Sequence, residues 1–184
     1  MYTDRKAAQI AGYFLAKGGQ RMAYLKLIKL MYLADREAML RFGRPISDDL
    51  HCSMPHGPVL SRTLNLLDGQ RESDEWSQWI RAVEDYDVAL VKDATNRDVF
   101  DEISNADMAV LDAVWTRFGR MNKWELRDWT HHNCAEWVDP NGSSRTISSD
   151  AIFRAVGRTA AEAQELASEL TVSQRLDRIL ESVR

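Results

Sequence analysis

Apolar positions along this chain recur mainly at intervals of three and four, and the polar positions between them carry helix starts and stops. Thr3 and Asp4 precede Ala7, Ile10, Ala11, Phe14 and Leu15, which predicts an amphipathic helix ended by Gly18-Gly19. The next helix runs from about residue 22 to residue 42 and is apolar around most of its circumference. Leu25, Ile28, Tyr32 and Met39 lie on one flank; Leu27, Leu30, Met31, Ala34 and Ala38 lie on the other. Such a helix belongs at the centre of a domain. Its polar stripe holds Lys26, Lys29, Arg36 and Glu37, and Gly43 ends it.

The period then changes. Leu50, Cys52 and Met54 alternate with His51 and Ser53, as in a short strand. Gly57 as cap and Pro58 as first helical residue predict a third helix through Leu60, Leu64 and Leu67, ended by Asp68-Gly69. Ser73 opens a short helical piece carrying Trp76 and Trp79, and residues 86–92 alternate as a strand able to pair with the His51 segment. Beyond this the pattern is helical. Ser104 with Asp107 and Asn122 with Glu125 form two capping boxes, for a helix closed by Gly119 and another ending near His131-His132. Residues 139–144 form a loop, and Ser148 or Ser149 caps a helix with Ile152, Phe153 and Val156. From Thr159 onward one more helix is expected, broken at Thr171-Val172-Ser173, with a narrow apolar face of Leu176, Ile179, Leu180 and Val183. The fold class is mainly α (α+β), a compact helical domain around a long central helix with a sheet of two or three strands. Residues 1–157 form the domain and 158–184 a C-terminal helical extension.

At 184 residues the chain fits one domain. No apolar run approaches the roughly 20 residues that cross a bilayer, and the N-terminus does not read as a signal peptide. Cys52 and Cys134 are too few and too isolated for a disulfide framework, so a cytoplasmic setting is expected. Net charge is -4, unevenly distributed: residues 1–44 hold nine Lys or Arg against three acids, and residues 45–112 hold five against fifteen. The two segments can neutralise each other, which we favour over nucleic-acid binding because a nucleic-acid domain usually carries a basic overall balance.

Asp35 points into the apolar arc of the long helix, so its carboxylate must be paired with an arginine or with backbone amides of the segment that follows. His56 precedes the expected third helix, whose first-turn amides could hold an anion; equally, Gly57-Pro58 could simply shape a tight turn. His51, Cys52, His132 and Cys134 have the donor chemistry for zinc, but their spacing matches no zinc motif. Cys134 with His131 or His132 makes a poor nucleophile and base, because side chains so close in sequence rarely meet in attack geometry. Trp115 and Trp124 fall on apolar helix faces and read as core, whereas Trp76, Trp79, Trp129 and Trp137 lie near segment ends.

The pattern of Lys26, Leu27, Lys29, Leu30 and Tyr32, followed by Gly57-Pro58-Val59, resembles the Panacea domain, the SocA-like antitoxin domain of bacterial and phage toxin-antitoxin pairs. Leu111, Trp115, Gly119, Leu126, Thr130-His131 and Trp137 extend the resemblance. It implies a compact helical domain that neutralises a cognate protein toxin, encoded next to it, by direct contact. No catalysis, cofactor, metal or membrane is implied, and a homodimer or a protease-adaptor role remains open. On this reading Lys26, Lys29, Arg36, His51, Ser53 and His56 form the toxin-binding surface, with basic charge beside an unpaired strand edge. Leu30, Tyr32, Asp35, Gly57, Pro58, Val59, His131 and Trp137 are the structural family positions. Two rival readings are a small metal-dependent hydrolase using the His and Cys residues, and a nucleic-acid-binding regulator.

Overall fold

The computed structural model describes residues 1–182. The elements follow as α1 (Asp4–Lys17), β1 (Arg21–Ala23), α2 (Tyr24–Phe42), β2 (His51–Met54), β3 (Gly57–Leu60), α3 (Ser61–Leu67), α4 (Asp74–Ser77), β4 (Ile80–Ala82), β5 (Asp87–Leu90), α5 (Asn105–Phe118), α6 (Lys123–Asn133), β6 (Arg145–Thr146), α7 (Ser149–Ala155) and α8 (Ala160–Ser182).

Local chemistry explains most helix ends. Thr3 Oγ1 accepts from Lys6 N at the start of α1. Ser73, Ser104 and Ser148 cap α4, α5 and α7 in the same way, and Asn122 and Glu125 complete a capping box on α6. Gly43 ends α2 in the left-handed region at φ 68°, its N–H bonded to Met39 O.

The central helix is α2, which touches α1, α3, α5, α6, α7, β1 and β3. Leu27, Ile28, Leu30, Met31, Tyr32, Ala34, Ala38 and Met39 are all buried there, and so form the core against Phe14, Leu15, Leu111 and Phe153. Burying a large aliphatic or aromatic side chain stabilises a fold by roughly 1.5–3 kcal/mol, so this helix is the main source of cohesion.

Strand pairing departs from the sequence expectation. Among the described residues there are two three-stranded antiparallel sheets, ordered β1-β5-β4 and β3-β2-β6. β5 pairs with β1 in the register Met22↔Val88, not with the His51 segment. Met22 and Ala23, expected at the start of the long helix, therefore belong to a strand that begins at Arg21, after Gln20 turns the chain at φ 72°. The third helix begins at Ser61, because Gly57 at φ 95° cannot start a helix and residues 57–60 pair with β2 instead. Its first amides do not wait for an anion: Asp49 accepts from Arg62 N at 3.0 Å and Thr63 N at 2.8 Å. Finally, α8 runs unbroken through Thr171–Ser173; Val183 lies outside the described residues.

The charge asymmetry is partly settled inside the molecule, by ion pairs between the two segments. Arg5 pairs with Asp101, Lys17 with Asp112, Arg21 with Asp87 and Arg44 with Asp107, each joining the basic first segment to the acidic middle one.

Candidate functional site

The β2–β3 hairpin turns at Pro55-His56, and both turn residues are exposed. β3 is buried along its whole length, so the hairpin is held from below. Lys29, on α2, donates from Nζ to Pro58 O at 2.7 Å. Trp137 donates from Nε1 to Met54 O at 3.0 Å, and its ring stacks on His131 of α6 with centroids 4.1 Å apart. Gly57 sits at the meeting point. A Cβ there would lie 2.8 Å from Lys29 Nζ, 2.9 Å from Thr130 Oγ1 and 3.0 Å from His131 Cδ2. Glycine is required both by this approach and by its positive φ.

A second polar group lies nearly two turns further along α2, at Asp35. Asp35 accepts from Ile46 N at 2.9 Å and Ser47 N at 2.8 Å, and also bonds Ser47 Oγ and His51 Nε2. This is the backbone-amide solution to its burial. Tyr32 packs edge-on against His51 and donates from its hydroxyl to Glu136 Oε1 at 2.7 Å, while Arg36 Nε reaches the same oxygen at 2.8 Å. Arg36 Nη2 also donates to Asn133 O and Ala155 O, tying α2 to the ends of α6 and α7.

Burial dominates the electrostatics. It pushes the Lys29 ammonium down to about 7 from 10.5 and the Cys134 thiol up to about 12. Tyr32 is raised well above the ordinary phenol value, by burial first and the Glu136 charge second. His131 is lowered, by burial and then by the neighbouring Lys29 and Arg127 charges.

Several residues expected on a contact surface are therefore internal. Lys29, His51 and Ser53 are buried: Lys29 holds the hairpin, His51 bonds Asp35, and Ser53 Oγ accepts from Val138 N. The expected free strand edge is also absent, since β2 is the middle strand with partners on both sides. Lys26 is partly buried, donating to Gly119 O at 2.7 Å with its amine over the Trp115 ring, and Arg36 is mostly enclosed by Glu136. Of the six, only His56 is fully outward. Of the tryptophans, Trp124 departs from its reading as core. Trp76 and Trp79 are core, whereas Trp124 is 49% exposed between the cations of Lys123 and Arg127. A three-to-four spacing marks a face but cannot say whether anything packs on it.

Sequence reasoning missed Asp49 and Glu136, each buried and joining distant segments. Glu136 follows a helix end and Asp49 follows another Asp, so neither stands out by pattern. Among the described residues, no group of three or more His, Cys, Asp or Glu could hold a metal ion. His51 and His132 belong to different networks: the first bonds Asp35, and the second bonds Asp128 O.

The fold and this polar frame thus define a mainly helical domain in which a β-hairpin is clamped to a central helix through Lys29, Gly57-Pro58, His131 and Trp137. The model of the family described as antitoxin SocA-like, Panacea domain, matches residues 27–138, more than half of the chain, and the chain belongs to that family. No curated protein and no solved structure matches this chain. No helix among the described residues is long and apolar enough to cross a membrane.

Proposed function

We propose that this chain is the antitoxin of a toxin-antitoxin pair and neutralises a cognate protein toxin by direct contact. The observation that carries this reading is the family match, which spans the clamped hairpin and all the residues that anchor it. A clamped, largely buried hairpin presents its tip with little freedom to lose, and preorganisation lowers the entropic cost of binding. The contact is proposed at that tip, through His56, with the outer parts of Lys26 and Arg36 at the rim. The exposed Trp124, between two cations on α6, adds the kind of anchor that protein interfaces favour.

Expression of the neighbouring open reading frame, alone and together with this chain, tests the proposal. Growth arrest by the neighbour, relieved by this chain, with the two proteins purifying as one complex, is the expected result. A harmless neighbour, or rescue without a complex, would overturn neutralisation by contact.

A further inference from the structure

The helix α8 is apolar on two opposite sides. On the inner side Ala163 is fully buried, Leu166, Ala167 and Leu170 pack against the core, and Asp177 approaches the N-terminal ammonium of Met1 at 3.6 Å. On the outer side Val172, Leu176 and Leu180 are 58%, 55% and 64% exposed. They recur every four residues, and Ile179 is exposed beside them. At 100° per residue, the step from residue 170 to 172 is about 200°, so this stripe faces away from the body. Docking of α8 on its own domain explains only the inner side.

We propose that the outer face of α8 pairs with α8 of a second copy of this chain, antiparallel, about a two-fold axis near Val172. Two features on this face select that occupant and that direction. The first is shape. Glu165, Ser168, Glu169, Val172, Ser173 and Leu176 line a shallow groove on the helix surface, the spacing of a hole that receives a side chain from a facing helix. With the axis at Val172, Leu176 of one copy lies opposite the small Ser168 of the other and fills this groove.

The second feature is charge. Glu165 and Glu169 precede Val172 and Arg175 follows it, all three exposed. In the antiparallel arrangement Glu169 of each copy meets Arg175 of the other, twice by symmetry. A parallel pair would instead set glutamate against glutamate and arginine against arginine. Leu180, ~12 Å beyond the axis at 1.5 Å per residue, arrives level with the cleft lined by Phe42, Glu165 and Leu166. Phe42 is itself an exposed apolar side chain, so the partner's helix end covers a second apolar surface.

A single helix pair buries less than the roughly 1,000 Å² of a durable interface, so association should depend on concentration. Sedimentation velocity on the full chain should show dimer at on the order of 100 µM and monomer at about 1 µM. Leu176→Glu should abolish the dimer while circular dichroism shows an unchanged fold. Glu169→Arg and Arg175→Glu should each weaken it about tenfold, since two attractions become two repulsions, and the double variant E169R/R175E should recover most of that loss. A wild-type protein that stays monomeric at the higher concentration would overturn the proposal, as would a dimer indifferent to Leu176→Glu. A double variant no better than its parents would overturn the antiparallel register.

Discussion

Replacing Asp35 by Ala removes one acceptor and strands four donors. The carboxylate takes the amides of Ile46 and Ser47 at 2.9 and 2.8 Å, together with the Ser47 hydroxyl and His51 Nε2. All of these groups are buried. The hydroxyl and the imidazole can turn or change tautomer to find another partner, but the two amides are fixed by the backbone. Each buried donor left unpaired costs about 1–3 kcal/mol, so Asp35→Ala should lose about 4 kcal/mol, a large part of the roughly 5–15 kcal/mol typical of a domain. Asp35→Asn is the informative control. Its oxygen can still receive both amides, and its NH₂ can face Ser47 Oγ and His51 Nε2, each able to accept, so the loss should be only about 1–2 kcal/mol. Urea unfolding followed by circular dichroism would read the difference. With a slope of ~2 kcal/mol per molar, the midpoint falls by ~2 M for Ala and less than ~1 M for Asn. An Asn variant as unstable as the Ala variant would show that charge, not hydrogen bonding, holds this site; an Ala variant losing under ~1 kcal/mol would refute the account of both.

Two further outcomes probe the clamp. Gly57→Ala should destabilise by about 2 kcal/mol or more, because φ 95° disfavours any Cβ and the new atom would meet Lys29 Nζ at 2.8 Å; an unchanged thermal midpoint would contradict the tight approach. Lys29 titrates near 7 in the folded chain and at 10.5 unfolded, so between these values the unfolded chain binds the extra proton and stability falls as pH is lowered. Lys29→Met removes that dependence, and the variant should gain about 3 kcal/mol relative to the parent between pH 9.5 and pH 7; urea midpoints at the two pH values check it, and a gain of opposite sign would refute the buried ammonium.

The starts of α1, α4, α5, α6 and α7 were legible in the residues because capping is local chemistry. Thr3, Ser73, Ser104, Asn122 and Ser148 each accept from an amide two or three positions ahead, and Glu125 accepts from the Asn122 amide behind it. The burial of Asp35 was legible for a similar reason, since a carboxylate inside an apolar arc has few alternatives to bonding the chain that follows. Gly57-Pro58 illustrates the limit. The same pair that suits a helix start also suits a hairpin, and pairing with β2, clamped by Lys29 from another element, decides between them.

Local patterns in the residues carried most of the helices, the central place of α2 and the family signature, but not where α2 and α3 begin or that α8 is continuous. Which polar residues lie on the surface depends on long-range packing. Lys29 and Trp124 occupy positions of opposite apparent character, yet the lysine is enclosed and the tryptophan is half exposed, because burial depends on what packs from elsewhere in the chain. Strand partners were undecided for the same reason: a ladder joins residues far apart in sequence, and alternation alone does not say which strand lies beside which.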